Sequence, residues 1–101
     1  ITDIATLDKI IAVAKEHNLL LLSDEIYDKL TLDGEKMISL ASRAADHPVA
    51  TFGGVAKCYL GPGLRVGWGV VSGATDMVRD YADAIGRLER ARLCASHPAQ
   101  A

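Results

Sequence analysis

The feature that most constrains this chain is the run Leu19-Leu20-Leu21-Leu22, which stops abruptly at Ser23-Asp24. Four consecutive apolar residues do not alternate, so the segment is not a half-buried strand with one wet face. A strand in a parallel sheet, covered above and below, reads this way. The stretch before it has another period. Leu7, Ile10, Ile11 and Ala14 recur at helical spacing, with Lys9, Lys15 and Glu16 opposite. Thr6 is placed to cap that helix, Asp8 suits its positive end, and Asn18 can end it in the left-handed conformation. Helix followed by buried strand is the beginning of an α/β layer.

The pattern repeats. Asp33-Gly34 marks a turn, Ser39 to Ala45 reads as a short helix, and Val49 to Phe52 as a second buried strand. Arg65 to Ser72 is a third strand, in which Gly67 and Gly69 signal close approach of another backbone or a ligand. From Thr75 to Cys94 the period is helical again, with Met77, Tyr81, Ala84, Ile85 and Leu88 as the apolar face. Three strands make a small sheet, and the chain opens at Ile1 and stops at Ala101 directly after a helical pattern. We therefore expect a piece of a larger protein.

Charge and composition remove several function classes. A net charge of −2 provides no field for nucleic acid or an anionic membrane. No apolar run approaches the ~20 residues that span a bilayer. Cys58 and Cys94 are too far apart in sequence for a CxxC site, and His17, His47 and His97 lack ligand spacing, so no metal is expected. Two reduced thiols in a cytoplasmic protein is the expectation. Gly61-Pro62-Gly63 invites comparison with a dinucleotide loop. Its next glycine, Gly67, comes one place late, and the loop precedes a strand instead of opening a helix.

Asp24 and Tyr27 follow the first strand, where ligands bind in open α/β sheets, and Lys57 and Arg65 flank a glycine-rich turn after the second. Each has an ordinary reading alone: a helix cap, a wet phenol, a solvated amine, a surface ion pair. Together, Ser23-Asp24-Glu25-Ile26-Tyr27 and Ala56-Lys57-Cys58-Tyr59-Leu60-Gly61-Pro62-Gly63-Leu64-Arg65-Val66-Gly67 resemble the signature of class I aminotransferases. These are pyridoxal-phosphate-dependent enzymes of fold type I. The family places a Tyr three residues after an Asp, and an Arg eight residues after a Lys; both spacings are kept here. The likeness covers nearly the whole chain, including Arg92-Leu93-Cys94-Ala95 and Pro98-Ala99-Gln100, and is greatest to the alanine aminotransferase branch.

The resemblance implies part of the large domain: a mostly parallel sheet flanked by helices, with residues 1–101 as a fragment of that cofactor-binding domain. It implies pyridoxal 5'-phosphate as cofactor and Lys57 as the Schiff-base lysine. Asp24 would keep the ring nitrogen protonated, Tyr27 would bond the phenolic oxygen, and Arg65 would grip the phosphate. The reaction implied is amino transfer between alanine or aspartate and a 2-oxo acid such as 2-oxoglutarate, in a homodimer. A carbon–sulfur lyase of the same fold shares these anchoring residues and is the alternative. Many relatives carry serines at the positions of Gly54 and Ala56; the alanine branch often has glycine at the first, so Ala56 is the departure. An upstream phosphate loop, an asparagine for the phenolic oxygen, an arginine for the substrate carboxylate and partner-subunit residues lie outside this stretch. The isolated fragment is accordingly expected to be inactive and marginally folded.

Overall fold

A computed structural model describes residues 1–74 and 76–92. The elements are α1 (Ile4–Glu16), β1 (Leu21–Asp24), α2 (Leu40–Ala44), β2 (Val49–Gly54), a 3₁₀ turn (Pro62–Leu64), β3 (Gly67–Ser72) and α3 (Asp76–Arg92). Thr75, Cys94, His97 and the Leu93–Ala95 and Pro98–Gln100 stretches of the family resemblance lie outside the described residues.

The start of α1 differs from expectation. Asp3, not Thr6, is the N-cap: its Oδ1 accepts from the Thr6 amide at 2.9 Å, and its Oδ2 from the Thr6 hydroxyl at 2.8 Å. Thr6 is thus the capped residue. A carboxylate at the cap both satisfies a free amide and meets the helix's positive end. Asp8 instead forms a bidentate pair with Arg43 of α2, with Nη2 2.8 Å from each carboxylate oxygen. The helix ends as expected: Asn18 has φ +51°, and the Leu19 amide donates back to the Ala14 carbonyl at 2.9 Å. The buried His47 ring donates from Nε2 to the Leu19 carbonyl at 2.8 Å, fastening the entry to β1.

The strands lie in the order β1-β2-β3. β1 and β2 are parallel, Leu21 beside Val49 and Asp24 beside Phe52, joined by the crossover that contains α2. β2 and β3 are antiparallel, with Val49 opposite Ser72 and Gly54 opposite Gly67. This part of the sheet is therefore mixed rather than mostly parallel. The reason is the connection: residues 55–66 form a turn-rich loop with no covering helix, and without a crossover the chain must double back.

Helices α1 and α2 pack on one face, where Leu7, Ile11, Leu40, Ala44 and Val49 form a core with Leu21, Ile38 and Ala41 against it. The strands were expected to be buried on both faces, but Leu22 is 62% exposed and Phe52 37%. They face away from that core, because successive side chains of a strand alternate. In α3 the inward residues are Val78, Tyr81, Ile85 and Gly86, while Met77, Ala84 and Leu88 of the expected face are exposed. The glycines of β3 fulfil the close-approach expectation: a Cβ on Gly67 would stand 3.1 Å from the Gly53 carbonyl oxygen. Gly53 is covered in turn by Trp68, whose Nε1 would lie 2.6 Å from a Cβ there.

Candidate cofactor site at the ends of β1 and β2

The parallel pairing brings the carboxyl ends of β1 and β2 to one edge of the sheet, and the antiparallel return brings the start of β3 to the same edge. All four residues singled out in the sequence sit there. Asp24 is the last residue of β1, and Tyr27 lies in the turn after it. Lys57 lies in the loop after β2, and Arg65 between the 3₁₀ turn and β3. All four are exposed, so each can meet a ligand arriving at that edge.

Two loops build the site. The first continues β1: the Glu25 amide donates to the Phe52 carbonyl at 2.8 Å, extending the ladder one residue past the strand. The chain then turns, with the Asp28 amide on the Glu25 carbonyl at 3.0 Å and the Leu30 amide on the Tyr27 carbonyl at 2.9 Å. Asp24 Oδ1 accepts from the Ile26 amide at 3.1 Å, a local turn bond and not the helix cap of its ordinary reading. Its other oxygen makes no protein hydrogen bond among the described residues.

The second loop carries Lys57. The Gly61 amide closes it onto the Val55 carbonyl at 3.0 Å, and the Val55 amide bonds the Val66 carbonyl at 3.2 Å. Leu60 and Arg65 both adopt positive φ, +52° and +54°. Non-glycine residues occupy that region at a cost and only where surroundings enforce it, so the loop's shape is held, not merely permitted. Gly54 is also confined: a Cβ there would stand 3.0 Å from both the Val66 carbonyl oxygen and Ile26 Cδ1. A serine at this position would need the loop to shift.

The loops meet at two points. Lys57 Nζ stands over the Tyr27 ring, 5.8 Å from its centre. Cys58 Sγ lies 3.2 Å from the Ile26 carbonyl, to which it donates, and 3.4 Å from Asp28 Oδ1. The half-buried thiol was read in sequence only as a reduced cysteine; here it bridges the Lys57 loop to the Tyr27 turn. Arg65 Nη1 donates to the Pro62 carbonyl at 3.2 Å. That uses one of five guanidinium donors and leaves the others available. No ion pair involves Lys57 or Arg65 among the described residues. Glu25 was also passed over in sequence. It is buried, and its Oε1 accepts from the Ser23 hydroxyl at 3.0 Å, the Ser39 hydroxyl at 2.9 Å and the Leu40 amide at 3.1 Å. Nothing local foretells the Ser39 and Leu40 partners, 14 and 15 residues away in sequence.

A carboxylate, a phenol, an amine and a guanidinium thus share one sheet edge on two mutually bonded loops. Comparison with known proteins finds aminotransferases. An alanine aminotransferase of Mycobacterium bovis is 44% identical over 94 residues, which are 93% of this chain and 22% of that protein. The glutamate-pyruvate aminotransferase AlaA of Escherichia coli K12 is 39% identical over 91% of this chain and 23% of its own length. A solved aminotransferase structure from Escherichia coli superposes with TM-score 0.90 at 37% identity, over 99% of this chain and 25% of that one. The chain therefore spans between a fifth and a quarter of the length of these relatives. The family model described as aminotransferase class I and II matches residues 1–101, and the chain belongs to that family.

Proposed function

We propose that this chain is the cofactor-anchoring part of the large domain of an alanine aminotransferase, exchanging an amino group between alanine and 2-oxoglutarate. The observation that carries the reading is the placement of the Lys57 amine against the Tyr27 ring, at the end of β1 where Asp24 lies. The names of the relatives, alanine aminotransferase and glutamate-pyruvate aminotransferase, support the substrate pair. The same reading takes the whole enzyme to be a cytoplasmic homodimer.

The donor set fits pyridoxal 5'-phosphate group for group: a carboxylate for a ring nitrogen, a phenol for a phenolic oxygen, an amine for an aldehyde, a guanidinium for a phosphate. When bound, this cofactor supplies an electron sink for negative charge at the amino acid's α-carbon. Asp24 holds a proton on the ring nitrogen, because a nearby carboxylate favours the charged form. Tyr27 donates a hydrogen bond to the phenolic oxygen. Lys57 would anchor the group through its amine, and the same amine would be the base placed to move a proton at the substrate's α-carbon. Arg65 meets the phosphate with parallel donors, a task its planar fork performs better than a lysine.

The test is chemical. The full-length enzyme is loaded with pyridoxal phosphate, reduced with borohydride and digested, and the modified peptide is sequenced. The label is expected on Lys57. A label on Lys29, Lys36 or a lysine elsewhere in the protein overturns the assignment.

A further inference from the structure

Glu25 sits between the two site residues of the first loop yet belongs to neither role proposed above. It is a carboxylate only 9% exposed, and no cation pairs with it among the described residues. Acidic side chains are seldom buried unless their charge is met. Here three neutral donors meet it on one oxygen: the Ser23 hydroxyl at 3.0 Å, the Ser39 hydroxyl at 2.9 Å and the Leu40 amide at 3.1 Å. Leu40 is the first residue of α2, and Ser39, its N-cap, makes no capping bond with its own side chain. Glu25 therefore caps α2 from another part of the chain.

The backbone of the same residue is held from the other side. Its amide is bonded to the Phe52 carbonyl in β2 at 2.8 Å, and its carbonyl accepts from the Asp28 amide at 3.0 Å. One residue thus fixes the turn simultaneously to the sheet and to α2. The side chains of its neighbours are less restrained: Asp24 Oδ1 makes one local bond to the Ile26 amide, and Tyr27 is 56% exposed. The Cys58 thiol ties the turn to the Lys57 loop at the Ile26 carbonyl, and the Glu25 side chain ties it to α2, so the orientation of Asp24 and Tyr27 depends on both.

We infer that Glu25 is a positioning residue: by bonding Ser39 and the start of α2, it sets the turn that presents Asp24 and Tyr27 to the cofactor. This rests on the functional reading above. The chemistry also says which replacement should be tolerated. All three bonds use Oε1, and Oε2 makes no protein hydrogen bond among the described residues. A glutamine keeps the accepting oxygen and can turn its amide nitrogen toward the free position, whereas an alanine leaves three donors without an acceptor.

The experiment uses the full-length enzyme freed of cofactor, as parent, Glu25→Gln, Glu25→Ala and Ser39→Ala. Amide hydrogen exchange is followed at Ile26–Asp28 and at Leu40–Ala44, and pyridoxal phosphate affinity is titrated by absorbance. In Glu25→Ala, exchange at Ile26–Asp28 should rise and cofactor affinity should fall, each by about tenfold, the worth of one charge-assisted hydrogen bond. Glu25→Gln should stay near the parent in both. Ser39→Ala, which removes one donor and leaves the carboxylate, should lie between, and it keeps the test alive if Glu25→Ala does not fold. Faster exchange confined to Leu40–Ala44, with the turn and the affinity unchanged, would mean that Glu25 only caps α2 and would overturn the inference. The exchange measurement needs no cofactor, so failure of Lys57 labelling in the parent would count against the functional reading alone.

Discussion

The two halves of the chain solve the burial problem differently. Residues from α1 to β2 form a self-contained layer: two helices cover one face of β1 and β2, and Val49 and Ala44 at its centre are wholly excluded from water. The half from β3 to α3 has no such centre. Residues 67–70 of β3 are all exposed, and among the described residues of α3 Val78, Tyr81, Ile85 and Gly86 are partly inward. Between α3 and the β2–β3 hairpin lies an open cleft of about 640 Å³, bordered by Phe52, Trp68, Val70 and Ile85. The site edge belongs to both halves, since Asp24 and Tyr27 come from the first, while Lys57 and Arg65 lie on the connection to the second. Under the proposed function, a site that anchors a cofactor there would rest on the better-packed first half.

If that contrast is real, the same truncation should have opposite weight in the two halves. Ile11→Ala removes a side chain 6% exposed in the α1–α2–β2 core and should cost about 2–5 kcal/mol, transfer and cavity combined. Leu88→Ala removes one that is 69% exposed on α3 and should stay within about 0.5 kcal/mol. Denaturant unfolding of each variant measures both. Similar losses would mean that α3 is buried more deeply in solution, and the comparison would fail.

The seam between the halves offers a sharper probe. Gly73 follows β3 with φ +125°, and a Cβ there would stand 3.0 Å from the His47 carbonyl oxygen and 3.0 Å from Pro48 Cα. The neighbouring Ala74 amide bonds the Asp46 carbonyl at 3.0 Å, a backbone staple between the second half and the first. Gly73→Ala should cost about 1–3 kcal/mol, from an unfavourable dihedral and a close backbone contact. Gly63→Ala, in open space, should be close to neutral. A neutral Gly73→Ala would show that the seam yields.

The sequence was most legible where one short-range rule decides the outcome. Leu19–Leu22 and Val49–Phe52 marked strands because apolar runs of that length need cover, and Leu7, Ile11 and Ala14 marked the buried stripe of α1. Strand ends drew attention to Asp24 and to the segment leading to Lys57, but Asp24, Tyr27, Lys57 and Arg65 were grouped as one site only by the family resemblance. What was missed depends on partners distant in sequence or on close local competition. Glu25 is defined by Ser39 and Leu40, and Cys58 by Ile26; no pattern within a single element encodes either. Thr6 was read as the cap, and only geometry shows that it donates to Asp3. The direction of β3 was hidden because glycine-rich strands carry no burial pattern. The inward face of α3 was misjudged by a fraction of a turn, since nothing in a helix's own sequence says which neighbour it meets.

The smallest effect tests how firmly the first half begins. The Thr6 hydroxyl, followed by the Thr6 amide, stabilises the charged form of Asp3 and holds its carboxyl below the ordinary value of 3.8. A group whose folded pKa is depressed contributes stability that is complete above the unfolded value and lost as pH falls through the folded one. The cap should therefore support α1 at neutral pH and fade only below the ordinary carboxylate range. Asp3→Asn keeps an acceptor but does not titrate, so the unfolding midpoints of parent and variant should converge as pH is lowered through that window. Because Asp3 is fully exposed, the difference will be small and sensitive to salt. Thr6→Val removes the larger cause while leaving the amide, and should move the Asp3 carboxyl part of the way back toward 3.8, as followed by its NMR shift. If the carboxyl titrates identically in parent and Thr6→Val, the Thr6 hydroxyl does not hold Asp3 in solution, and the cap at the start of α1 rests on the Thr6 amide alone.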